Sequence, residues 1–143
     1  MTDNRTDGAV SPGEADYKEA EKLGLRPDGR VVLCGANAYE QKYYFNPIFR
    51  RIPESIREEL RIICVLFTQE AGGVFTIEFE EDGEIFLRTE CDEEDITWDS
   101  VSAGLLSGEI RRRRGDLLDA VSLYYRATIL HEDMSALLSE DDD

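Results

Sequence analysis

The sequence predicts an α+β fold: an antiparallel sheet from two β-hairpins, with helices packed on one face, in the order ββαββα after a peripheral N-terminal helix. Three observations predict it. Residues 30–45 and 74–91 each hold two apolar-alternating segments joined by turn residues. Between them, apolar residues recur at three- and four-residue spacing. They do so again from Trp98 to Ile129. At 143 residues the chain suits one domain with a sizeable core. The expected organisation is a disordered stretch over 1–10, a peripheral helix and turn over 11–29, an α+β domain over 30–131 and an acidic tail over 132–143.

Ser11, Pro12 and Glu14 form a helix start, with a cap, a first-turn proline and a capping-box carboxylate. That helix runs to about Leu23 and stops at Gly24. Its thin apolar stripe (Ala15, Ala20, Leu23) leaves it peripheral. Pro27, Asp28 and Gly29 make a turn. Arg30 to Cys34 reads as a strand, Gly35 to Asn37 as a turn, and Tyr39 to Phe45 as a second strand. In that register Tyr39, Gln41, Tyr43 and Phe45 face the core, while Glu40, Lys42 and Tyr44 face the other way. Asn46-Pro47 ends the pairing, since proline has no amide to donate.

A second capping box is read at Ser55 to Glu58, followed by Ile56, Leu60, Ile63 and Phe67 at helical spacing and by Gly72-Gly73 as terminator. The run RIICVLFT also has strand propensity, so a helix through about Glu70 competes with a strand there. Val74 to Glu80 and Glu84 to Cys91 are strands joined by Asp82-Gly83. A helical pattern starts near Trp98 or Asp99. Trp98, Val101 and Leu105 lie on one expected core stripe, Leu106, Ile110 and Leu117 on the next, and Leu118, Val121, Tyr125 and Ile129 on the last. Glycines at 104, 108 and 115 make one helix or two equally acceptable.

The net charge of −16, from 32 acidic and 16 basic residues, is the most unusual bulk property. It disfavours nucleic acid and anionic membrane surfaces and favours basic proteins or divalent cations. The longest apolar run is too short to span a bilayer. Cys34, Cys64 and Cys91 form neither a disulfide framework nor a zinc motif, and read as buried thiols of a cytoplasmic protein. No signal peptide is visible.

One histidine, His131, argues against histidine-ligated metals and histidine triads. No phosphate-binding or nucleophile-elbow motif occurs. Glu78, Glu80, Asp82 and Gly83 imitate the start of a calcium loop, but the closing position is Thr89. No catalytic residue, metal ligand or cofactor is therefore assigned. From Glu78 to Asp99 there are eleven acidic residues and one basic residue, Arg88. The run Asp92, Glu93, Glu94 and Asp95 is the first candidate docking segment, with Glu40, Lys42 and Tyr44 as a second. Arg111 to Arg114 step round a helix through the core stripe. Arg113 and Arg114 therefore become candidates for partner contact, or for pairing internally with residues 92–95.

VLCGANAYEQKYYFNP, then IPESIREELRIICVLF with its following Gly-Gly, then LYYR, resemble one group. It consists of uncharacterised small acidic proteins from anaerobic Gram-positive bacteria, classed as a domain of unknown function. The resemblance covers about residues 30–128. It implies a cytoplasmic setting and supplies no catalytic residues.

The expected function is that of a small acidic interaction or regulatory module without catalysis, docking a basic protein partner. The alternatives are a carboxylate-based metal-dependent enzyme, which needs Glu40 to converge with Glu90 or Asp92, and a self-assembling structural subunit. Homodimerisation is compatible with all of these.

Overall fold

The computed structural model describes residues 24–130. The peripheral helix expected over 11–23, His131 and the acidic tail lie outside that range. Four strands, β1 (Val31–Asn37), β2 (Lys42–Phe45), β3 (Val74–Phe79) and β4 (Ile85–Glu90), form one antiparallel sheet in the order β2-β1-β3-β4. Helix α1 (Glu54–Ala71) connects the two hairpins. Helices α2 (Ser100–Arg113) and α3 (Gly115–Thr128) follow the sheet. The two predicted hairpins are thus joined through their first strands, β1 and β3, at the centre of the sheet.

Alternation on β3 assigns the two sheet faces. Phe75, Ile77 and Phe79 are fully buried beneath the helices with Leu33, Cys34, Leu60 and Cys64. Phe67 stacks on Phe75, and Tyr125 of α3 stacks on Phe79. Such aromatic pairs add to the apolar burial that holds a layered fold together. A register shift between Val32 and Cys34 inserts Leu33 into β1, so that two successive residues, Leu33 and Cys34, are both buried.

Several boundaries differ from the sequence reading. β1 continues through Gly35 to Asn37, where a turn was expected, and the turn falls at residues 38–41. β2 is correspondingly shorter, and Gln41 takes a left-handed backbone (φ 53°). Residues 61–69 are helical: Leu60, Ile63, Cys64 and Phe67 bury one face of α1. The capping box at Ser55 is not formed. Pro53 occupies the cap position without a side-chain bond, and Glu58 accepts from Arg61 instead. The C-terminal helical region divides at Arg114, whose backbone (φ −118°, ψ 25°) leaves the helical region just before Gly115.

The face of the sheet opposite the helices is polar. Glu78, which has no exposed surface, accepts from Arg26 Nε (2.7 Å), Arg88 Nε (2.8 Å) and Thr76 Oγ1 (2.8 Å) through one carboxylate oxygen. Arg88 also donates to Asp28 at 3.0 Å, and the Arg30 guanidinium lies over the Phe86 ring at 4.0 Å. A buried carboxylate is tolerated only when its charge and lone pairs are matched. Here the matching groups come from segment 24–30 and from β4, so Glu78 fastens that segment across the sheet. Glu78, the first residue of the calcium-loop imitation, thus faces two arginines.

Candidate functional site

Three connections meet at one end of the sheet. They are the 38–41 turn, the Gly72-Gly73 link between α1 and β3, and the loop from Cys91 to Trp98. The Ala38 amide donates to Gly73 O (2.8 Å), joining the first two. Gly73 has a positive φ of 69°. A Cβ there would lie 2.5 Å from both Glu90 O and the Trp98 ring. Glycine is therefore required by backbone conformation and by the close approach of Trp98.

Tyr39 joins the turn to the acidic loop. Its hydroxyl donates to Asp95 Oδ2 (2.5 Å) and accepts from the Asp92 amide (3.0 Å). Asp95 Oδ1 accepts from the Thr97 amide (3.0 Å) and hydroxyl (2.6 Å). These bonds, the Thr97 hydroxyl first and Tyr39 next, hold the Asp95 carboxyl below its usual range, while the Asp95 carboxylate pushes the Tyr39 phenol up. Asp99 then caps α2 by accepting from the Val101 and Ser102 amides, and the Ser102 hydroxyl bond first, with these amides next, lowers its pKa. The loop is thus anchored at both ends. Asp92, Glu93 and Glu94 are exposed, and Asp95 is partly so.

The loop continues into apolar surface. Ile96 is 96% exposed, Val101 70% and Leu105 71%. Val101 and Leu105 were expected in the core, but the adjacent stripe wins. Ala103 is buried, and Leu106 and Ile110 pack against the core. Val101 and Leu105, one helical turn apart, share a face of α2, and Ile96 lies on the loop that precedes it.

The other candidates are distributed differently. Tyr39 and Gln41 leave the expected core face, since both belong to the turn. Glu40 sits in that turn, with its amide donating to Asn37 Oδ1 (3.2 Å). Lys42 and Tyr44 are exposed on the sheet face opposite the helices. Lys42 also borders a groove of about 550 Å³ with Tyr43, Arg61, Thr68 and Gln69. Tyr43 and Phe45 pack against the core as expected. The Tyr43 hydroxyl finds no nitrogen or oxygen partner among the described residues. Burial, reinforced by the Cys34 and Cys64 thiols, pushes that phenol far up.

The arginine cluster does not meet residues 92–95. Arg112 and Arg113 both pair with Glu109 on their own helix, Arg114 pairs with Glu59 of α1 (2.7 Å), and Arg111 donates to Ile85 O (2.9 Å). Partners one helical turn away require no loop rearrangement. The thiols divide as well. Cys34 and Cys64 are buried with their sulfurs 3.8 Å apart, whereas Cys91 is exposed, contrary to the expectation of three buried thiols. Among the described residues no three His, Cys, Asp or Glu side chains are grouped to hold a metal ion, and no helix is long and apolar enough to cross a membrane.

The fold defines a class: a four-stranded antiparallel sheet backed by helices, with an acidic and apolar surface at one end. Over residues 30–133 the chain matches, and so belongs to, a family of unknown function (DUF6145). No curated protein and no solved structure matches it.

Proposed function

We propose that the protein is a non-catalytic interaction module. Its docking face is formed by residues 92–95, Ile96 and the outward side of α2, and its partner presents basic and apolar groups together. The observation that carries this reading is a tethered acidic loop followed along the chain by three exposed apolar side chains, Ile96, Val101 and Leu105. Tethering lowers the ordering cost of binding, and the negative charge accelerates encounter with a basic partner. A cytoplasmic setting accords with the two unjoined thiols at Cys34 and Cys64. The resemblance to small acidic proteins of anaerobic Gram-positive bacteria belongs to the same reading.

The test is calorimetric titration with a synthetic amphipathic Lys/Leu peptide at low and physiological salt. Reversing Glu93 and Glu94 to lysine should weaken binding much more than reversing Glu81 and Asp82 in the β3–β4 turn. Equal losses from the two double variants would reduce the effect to net charge and remove the docking face.

A further inference from the structure

Resting on the reading of residues 92–105 as a docking face, we infer that its occupant is a second copy of this chain, with the two α2 helices packed antiparallel about a two-fold axis.

The inference starts from the outward side of α2. Val101, Leu105, Gly108 and Arg112 follow one another at helical spacing, diametrically opposite buried Ala103. Val101 and Leu105 have no covering element among the described residues. A Cβ added at Gly104 or Gly108 would meet nothing within 4 Å. Glycine is a poor helix former, and no contact within the described chain requires it at these positions. Their lack of side chains leaves room for a second backbone to approach on either side of Leu105.

Charge selects the occupant. The acidic loop lies before the N-terminal end of α2, and Arg112 and Arg113 lie at its C-terminal end, both on the surface. α2 is about 21 Å long at 1.5 Å per residue. An axis passing near Gly104 and Leu105 sets Val101 against the partner's Gly108. The partner's Ser100 then faces Glu109, and Arg112 lies about 4.5 Å further along the axis, on the side from which the partner's acidic loop enters α2. Each basic end then meets an acidic loop, twice over, as an isologous interface requires. Glu109 already pairs with both arginines, but a guanidinium has five donors and retains capacity for a second carboxylate. A parallel arrangement would instead oppose acid to acid and arginine to arginine.

Two chains of charge −16 repel at long range. At physiological ionic strength the screening length is about 8 Å, so repulsion between charges further apart than this is largely screened.

Sedimentation equilibrium near physiological salt tests the inference, on the full chain over a wide concentration range. The expected result is a mass rising from 16.3 kDa towards twice that value. Leu105→Asp is exposed and should keep the thermal unfolding profile, yet it should weaken association by about tenfold or more, because it buries a carboxylate without a partner. Arg112→Glu should also dissociate the dimer. Mixing it with the Glu93→Arg/Glu94→Arg variant should restore a dimer that neither forms alone. A wild-type chain that remains monomeric overturns the inference, as does a dimer indifferent to Leu105→Asp. If that monomer still binds the Lys/Leu peptide through Glu93 and Glu94, the docking face stands without the dimer. If it does not, both fall.

Discussion

The Tyr39 hydroxyl donates to Asp95 at 2.5 Å, linking residues 56 positions apart in the chain. Through this bond the β1–β2 turn sets the position of the acidic loop, and the exposed carboxylates at 92–94 are presented on a defined backbone.

Tyr39→Phe keeps the ring and removes both hydroxyl bonds. The Asp92 amide loses its acceptor, so its hydrogen exchange should accelerate severalfold while amides of the β1–β3 ladder stay protected. Exchange measured by NMR checks this. Unchanged protection at Asp92 would show that the loop is held by other means.

The same pair defines a pH window. The Asp95 pKa is depressed in the fold, so its contribution is present above the ordinary carboxylate range and is lost as pH falls through the folded value. The Tyr39 pKa is raised, so its contribution is complete below the ordinary phenol value of about 10 and is lost as pH rises through the folded value. Between about pH 5 and 9 the tether should be independent of pH. In a Cys91→Ser variant, which removes the adjacent exposed thiol, a pH titration of the Asp92 amide shift should therefore be flat in that interval. A step inside it would contradict the assignment.

Gly73→Ala introduces a Cβ at a positive φ, against the Trp98 ring. The expected cost is about 2 kcal/mol, from backbone strain and displaced packing. Trp98, the sole tryptophan, should show red-shifted fluorescence as its ring moves out towards water. Wild-type emission in a folded variant would mean that Trp98 does not rest on this turn.

Glu78→Ala leaves Arg26 and Arg88 without their shared carboxylate. Both guanidinium groups keep some access to solvent, so the cost should be on the order of 3 kcal/mol rather than that of a fully enclosed pair. Urea unfolding measures it. A loss below about 0.5 kcal/mol would place the network with ordinary surface pairs.

Much of the fold was legible because burial follows periodicity. The hairpins over 31–45 and 74–90 and the helix over 54–71 each carry their apolar residues at the period of the element they form. The structure departs from the sequence pattern where two phases compete. Val101 and Leu105 define one stripe on α2, while Ala103, Leu106 and Ile110 define another. The choice depends on how α1 and α3 receive the helix, which local sequence does not record. Tyr39 falls in the turn rather than in β2 because β1 extends through Asn37. The acidic loop was visible as composition, but its anchor was not, since a tyrosine far away in sequence supplies it. Glu78 carried a usable signal: a carboxylate between two core residues of a central strand, with Arg88 at a nearby position on the neighbouring strand.

The most direct measurement of the docking claim is an NMR titration of the ¹⁵N-labelled chain with the Lys/Leu peptide, mapped amide by amide. The account predicts that the largest shifts fall on residues 92–96 and on Val101, Leu105 and Gly108, with little change along β4. Shifts centred on Lys42, Tyr43 and Arg61, or scattered evenly over all acidic positions, would contradict it.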